Sequence, residues 1–225
     1  SSDRLLLKDI TLSLAHGEIL GIGGSGGSGK SLLCRSLVNW LPSGVGVKGG
    51  KVIFRGRNLL AKASGGGTSF QGMNIGYVGG DATSALDPTI PVGDQIVEKL
   101  RANKQELTRQ QAAEKVLELF REVRLPSPEM RMNEYPGQYS GGMMQRAMIV
   151  DALITQPDIV VADDITQPLD VTVAVQIVAL LKRLSMKYGT AVVFASSSLP
   201  LLFKTADRIA VLREGEVVEI GAALE

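Results

Sequence analysis

Gly23-Gly24-Ser25-Gly26-Gly27-Ser28-Gly29-Lys30-Ser31 is the stretch from which the rest of this chain can be read. It follows a short apolar run, Glu18-Ile19-Leu20-Gly21-Ile22, and precedes a helix-like segment from Leu32 to Leu41. Strand, glycine loop and helix are the context a phosphate-binding loop requires, and Gly24 to Ser31 fits the pattern G-x-x-x-x-G-K-[ST]. Glycines let backbone N–H groups turn inward around phosphate oxygens without Cβ clashes, and the following helix adds its positive N-terminal end. In this pattern Lys30 supplies a point charge to the β- and γ-phosphates, and Ser31 a hydroxyl for Mg²⁺.

Two other readings compete. A glycine-serine run can be a flexible linker, but linkers do not sit between an apolar strand and an apolar helix. Gly21-x-Gly23-x-x-Gly26 also satisfies the dinucleotide fingerprint, which expects an acidic residue about 20 positions later to bind a ribose. No Asp or Glu occurs from Ile19 to Gly80, where seven Lys and Arg do. An acid-free, basic half suits a triphosphate.

Composition sets the bounds. A chain of 225 residues buries one core, or one core with a small appended subdomain. Its 44% hydrophobic and 21% charged content describe an ordinary globular protein. A net charge of +1 makes no general case for nucleic acid or an anionic membrane. The single cysteine, Cys34, excludes an internal disulfide and a cysteine metal cluster, and its place on the apolar side of the first helix predicts core packing. The single histidine, His16, lies in a turn and makes no metal site. No apolar run reaches the roughly 18 residues of a membrane span, and no signal-peptide pattern is present. The chain opens at Ser1 and not at a methionine, which suggests that something upstream has been removed.

Leu5-Leu6-Leu7 and Ile10 to Leu14 alternate as strands, with a turn at Ala15 to Glu18. Lys51 to Arg57 reads as a hairpin, Ala63 to Gly72 as a loop, and Asn74 to Val78 as a strand. Strand character then disappears. From Val92 to Leu125 the pattern is helical, with Thr108 and Gln111 forming a capping box and Val116, Leu117, Phe120 and Val123 on one face. Pro126 and Pro128 end it. Alternation resumes with helix Gly142 to Ile154, strand Asp158 to Ala162, helix Val173 to Tyr188, strand Thr190 to Ala195, helix Leu199 to Ala206, and strands Arg208 to Arg213 and Val217 to Ile220. The fold class that follows is α/β, a phosphate-loop core with a largely parallel sheet, an N-terminal antiparallel β portion and an inserted helical subdomain. Residues 1–88 and 140–225 form the core, and 89–139 the helical insertion.

Asp163 and Asp164 close the strand from Asp158. A carboxylate at the end of a neighbouring strand holds Mg²⁺ in phosphate-loop enzymes, and Asp163 is placed for that role. Ser140-Gly141-Gly142 opens a second helix. Ser140 could cap that helix for stability alone, or the segment could bind a second anion.

These motifs, in this order, resemble the ATP-binding subunits of ABC transporters. Tyr139-Ser140-Gly141-Gly142-Met143-Met144-Gln145-Arg146 stands where that family has LSGGQ or, in one branch, LSGGMRQR. Asp81 to Pro88 and Leu169-Asp170-Val171-Thr172-Val173 look most like the dipeptide, oligopeptide and nickel importer branch. The resemblance runs from Leu7 to Gly221. It implies ATP and Mg²⁺ as cofactors, with Gly24, Ser25, Gly26, Gly27, Ser28, Gly29, Lys30 and Ser31 on the phosphates and Ser31 and Asp163 on the metal. It also implies a head-to-tail dimer, in which Ser140, Gly141, Gly142, Met143 and Gln145 act on the partner's ATP and Asp170 lies in a dimer-contact loop. Permease subunits in the membrane would meet the helical subdomain, placing the chain on the cytoplasmic inner face of the cell membrane, with no nucleic acid involved.

Three positions depart from the family, all at the catalytic step. Asp164 stands where a Glu orients the attacking water. The shorter side chain withdraws the carboxylate, and about 1 Å of misplacement can cost roughly 10²-fold in rate. Ser197 stands where a His contacts the γ-phosphate. Gly80 stands where a Gln reaches the metal and the water, and Gln71 lies too early to replace it. An adenine-stacking aromatic is also expected well ahead of the loop, but none precedes Phe54. Groups that bind phosphate and Mg²⁺ are kept, and groups that position water are altered. The chain is therefore expected to pair with a different, fully equipped ATPase, holding one slow site of its own. The alternative is a nucleotide-gated scaffold, or a regulatory ABC subunit of a non-transport complex, with little turnover. A member acting on DNA or ribosomes is disfavoured by the lack of a coiled-coil or cysteine-rich insertion.

Overall fold

The computed structural model describes residues 4–60, 75–81 and 85–223. The loop Ala63 to Gly72 with Gln71, the start of the strand at Asn74, and Ala82, Thr83 and Ser84 of the Asp81–Pro88 motif lie outside them.

A six-stranded sheet carries the molecule. Its strands are β1 (Ile19–Gly23), β4 (Ile75–Gly79), β5 (Ile159–Asp163), β6 (Ala191–Ser196), β7 (Arg208–Arg213) and β8 (Glu216–Ala222), in the order β4-β5-β6-β1-β7-β8. All pairs are parallel except β7 with β8. That hairpin turns through Glu214 and Gly215, both at positive φ, as a two-residue turn between twisted strands requires. β1 and β6 are buried at every residue, so they read as continuous apolar runs.

Helix α1 (Lys30–Leu37) follows β1. Between β4 and β5 come α2 (Val92–Asn103), α3 (Arg109–Glu122), the single turn α4 (Pro128–Arg131) and α5 (Gly141–Leu153). Helices α6 (Val171–Tyr188) and α7 (Leu199–Thr205) flank β6. The capping box at Thr108 is present in both directions, and Gly189 ends α6 in the left-handed conformation. Ala112, Val116, Phe120 and Val123 form the buried face of α3 and its end, while Leu117 is only half-buried. Among the described residues no helix is long and apolar enough to cross a membrane.

The N-terminal antiparallel portion is smaller than its sequence predicts. Among the described residues of this portion only β2 (Ile53–Phe54) and β3 (Arg57–Asn58) pair antiparallel, around Arg55 and Gly56 at positive φ. Leu5–Leu7 and Ile10–Leu14 form no strand. The alternation there is real, with Ile10, Leu12 and Leu14 half-buried against the core and Thr11 and Ser13 exposed. A strand needs a partner edge as well as a period, however, and this segment's backbone meets the rest of the chain through isolated bonds, Lys8 N–H to Gly215 O and the Ser13 carbonyl accepting from the Arg208 side chain.

The helices between β4 and α5 share one buried cluster with the sheet, from Ile96, Val116 and Phe120 through Met144 and Ile149 to Val160 and Phe194. Phe120 is fully buried there. Phe120→Ala is expected to cost about 3–5 kcal/mol and to lower the melting of the whole molecule. Calorimetry showing an early transition confined to the helices would contradict a shared core.

Candidate nucleotide site

β1 leads the chain into the glycine loop and α1 takes it out. Gly24 and Gly29 hold φ of +155° and +108°. A Cβ on Gly24 would also run into the Leu212 carbonyl oxygen and the Ser28 side chain, so glycine alone allows the turn. α1 starts without a side-chain cap and without an acid in its first turn, whereas α3, α5 and α6 are capped by Thr108, Ser140 and Asp170. The leading N–H groups of α1 are therefore available to an external acceptor.

Lys30 is 4% exposed. Its Nζ donates to the carbonyls of Gly24 at 2.9 Å and Ser25 at 3.0 Å, and lies 4.0 Å from Asp164 Oδ2. The Ser28 hydroxyl is buried in the same loop with no hydrogen-bond partner. A buried cation, an unpartnered hydroxyl and an uncapped helix start together fit a polyphosphate.

The two metal candidates also meet. Ser31 Oγ donates to Asp163 Oδ1 at 2.9 Å, joining the start of α1 to the end of β5. Tyr77 Oη donates to the other oxygen, Asp163 Oδ2, at 2.9 Å. Burial, followed by the Asp163 carboxylate, pushes the Tyr77 phenol well above its ordinary value, so it remains a donor. No group of three or more acidic, His or Cys side chains forms a metal cage among the described residues. One carboxylate and one hydroxyl suit a cation that takes its other ligands from phosphate and water. Cys34 is fully buried, and its thiol is pushed up first by burial and then by Asp163. It is a core residue.

The structure brings the three positions at which the sequence is expected to depart from the family, Asp164, Ser197 and Gly80, together around Asp164. Asp164 has φ +49°, a left-handed conformation that Asp tolerates better than most residues. Its Oδ1 accepts the backbone N–H of Ser197 at 3.3 Å, and its Oδ2 faces Lys30. The Ser197 residue itself is exposed. A Cβ on Gly80 would lie 2.9 Å from the Asp164 carbonyl oxygen, so the turn of β5 occupies the space a larger residue would need. Burial raises the Asp164 carboxyl above its ordinary value; Lys30 and the Ser197 N–H oppose this, and Asp163 adds to it.

The second glycine loop stands apart. Among the described residues no hydrogen bond joins Ser140–Gln145 to Gly24–Ser31. Ser140 and Gly141 are exposed, and the Ser140 hydroxyl caps α5 by accepting the Met143 N–H at 3.3 Å. Gly142 faces Val173, and Asp170 is exposed and caps α6 by accepting the Val173 N–H at 2.9 Å. Gln145 corrects the reading from sequence. It is 1% exposed and its amide donates inward to the Gly80 carbonyl at 3.2 Å. It ties α5 to the end of β4 and does not face outward with Ser140, because it lies on the core side of α5.

A family model for the ABC transporter matches residues 7–167. The chain belongs to the ABC transporter family. Its ABC relatives include the dipeptide transport ATP-binding protein DppD of Lactococcus lactis, 34% identical over all of this chain and 64% of the relative. The oligopeptide transport ATP-binding protein OppD of Bacillus subtilis is 35% identical over 97% of this chain and 61% of its own length. The chain thus spans less than two thirds of these peptide-transport relatives. The metal-staphylopine import ATP-binding protein CntD of Staphylococcus aureus is 31% identical, over 98% and 80%. Among solved structures, a dimeric ATP-binding cassette in a post-hydrolysis state with ADP and Pi superposes with a TM-score of 0.83, at 25% identity over 98% of this chain and 91% of that one.

Sequence reasoning did not single out Tyr77. The available signal was an aromatic two residues before a glycine at a strand end.

Because the Asp164 proton is held more tightly in the folded protein, the group's contribution to stability falls as pH rises from about 4 upward. Asp164→Asn is expected to raise the melting temperature at pH 7, with the gain shrinking as pH falls toward about 4 and absent below it. A variant that is no more stable at pH 7, or whose gain persists in acid, would contradict this environment.

Proposed function

We propose that this chain is an ATP-binding subunit of an ABC importer of the peptide-transport kind, and that its own site binds MgATP but cleaves it slowly. The observation that carries the second part is the state of Asp164, shorter than the expected Glu and engaged by Lys30 and the Ser197 N–H. In this reading Lys30, Ser28 and the leading amides of α1 hold the polyphosphate, and Ser31 and Asp163 hold Mg²⁺. A bound magnesium ion would neutralise phosphate charge. Asp164 would take the water-directing position, with Ser197 and Gly80 beside it in place of the usual His and Gln.

Several observations support a two-chain site. Ser140 and Gly141 are exposed and separate from the phosphate loop of the same chain, and the solved neighbour with ADP and Pi is dimeric. The Ser140–Gly142 segment would serve a second, non-identical ABC chain that carries the missing catalytic groups. Membrane permease subunits would meet the helical segment 89–139 at the cytoplasmic face. The peptide-transport names of the relatives support the import assignment. The engaged Asp164 also favours a second reading, a nucleotide-gated scaffold in which even the paired assembly turns over little.

Single-turnover hydrolysis of ATP by the isolated chain tests the slow site. The expected result is a rate far below that of equipped ABC ATPases, raised by up to about 10²-fold in the double variant Asp164→Glu, Ser197→His. A fast wild-type rate that Asp164→Asn abolishes would sink the proposal.

A further inference from the structure

β4 reaches the site as Tyr77-Val78-Gly79, with Gly79 in register with Asp163. Residues two apart share a face of a strand, so Tyr77 and Gly79 lie on the same side. Gly79 offers no side chain, and the Tyr77 ring fills that space. A Cβ on Gly79 would sit 3.4 Å from the ring's Cε1 and 3.8 Å from its hydroxyl. The hydroxyl thereby reaches Asp163 Oδ2 at 2.9 Å, leaving Oδ1 to accept from Ser31, also at 2.9 Å. The ring is braced from outside by Trp40, edge-on at 5.6 Å, and the Arg35 guanidinium lies 5.6 Å from the Trp40 centroid.

We propose that Tyr77 is a positioning residue for the divalent cation: by holding Asp163 Oδ2 it fixes the carboxylate so that Oδ1 and the Ser31 hydroxyl face the metal together. The inference rests on the proposed nucleotide site and deepens it. A carboxylate held at one oxygen only can rotate and lose that alignment. With a donor on each oxygen, rotation would break two hydrogen bonds. When the cation takes over the Ser31 contact, Tyr77 still keeps the group oriented. Trp40 and Arg35 limit how far the ring can swing away. Such outer partners of a metal ligand are typically worth 10- to 100-fold in metal affinity. The arrangement strengthens the holding of MgATP and adds nothing to the positioning of water.

The test is equilibrium binding of the non-hydrolysable analogue AMP-PNP to the full chain, in Mg²⁺ and in EDTA. The ratio of the two affinities isolates the cation's share. Tyr77→Phe keeps the ring and removes the hydroxyl. It is expected to shrink the ratio about 10-fold or more while leaving the EDTA affinity unchanged. Gly79→Val, which crowds the ring, should reduce the ratio in the same direction. Trp40 is the only tryptophan, so its emission gives a second readout. Adding Mg²⁺ to the nucleotide-bound wild type should shift that emission, and Tyr77→Phe should lose the shift. Equal losses in Mg²⁺ and EDTA would mean that Tyr77 merely supports the loop, and would overturn the inference. So would an unchanged ratio beside a Mg²⁺-responsive wild type. A wild type with no Mg²⁺-dependent binding at all would overturn the nucleotide site itself, and this inference with it.

Discussion

A buried ammonium must be met by oxygen, and here Lys30 is met by the carbonyls of its own loop. That pairing curls Gly24 and Ser25 back over the start of α1, and the rest of the site follows from it. The curl needs backbone angles that glycine allows at Gly24 and Gly29. It needs β1 in the middle of the sheet, between β6 and β7, so that the loop emerges beside the end of β5. It also sets Ser31 against Asp163, which joins helix, loop and neighbouring strand by a single hydrogen bond. A cation this deeply buried is costly without a counter-charge. Asp163 and Asp164 supply negative charge nearby, and a bound polyphosphate would supply more.

Two neighbouring carboxylates are treated differently by the fold. Asp163 is the last residue of β5, buried, with a donor on each oxygen. Asp164 is already past the strand, in a left-handed turn, with its carboxylate drawn toward Ser197 and Lys30. The first is held as a ligand should be held. The second is engaged where a water-directing group would need reach. Gly80 and Ser197 are not independent of this, since one packs under the Asp164 carbonyl and the other binds its side chain. Gln145, bonded to the Gly80 carbonyl, extends the same contact into α5.

Much of this was legible in the sequence, for identifiable reasons. β1, β5 and β6 are short apolar runs bounded by glycines, prolines and acids, as buried strands of a parallel sheet are. The phosphate loop is a local motif whose geometry depends on its own residues, so its pattern carried over intact. The capping box at Thr108 and the hairpin at Glu214-Gly215 are likewise local. The failures all depend on partners distant in sequence. Ile10 to Leu14 alternates as a strand should but finds no sheet edge. Gln145 belongs to a loop whose pattern suggests a surface role, yet it lies on the buried side of α5. Tyr77 reads as a strand aromatic until its hydroxyl is seen on Asp163, 86 positions away. Asp164, Ser197 and Gly80 read as three separate departures, and only the fold shows them to be one contact.

In the proposed asymmetric site, ATP would be held on this chain and cleaved elsewhere. The most direct measurement is photolabelling with 8-azido-ATP radiolabelled at the γ-phosphate, applied to the assembled complex after a few turnovers. The γ-label is expected to stay on this chain, with uncleaved nucleotide at Lys30, while the partner chain loses it. Equal loss of the γ-label from both chains would contradict it.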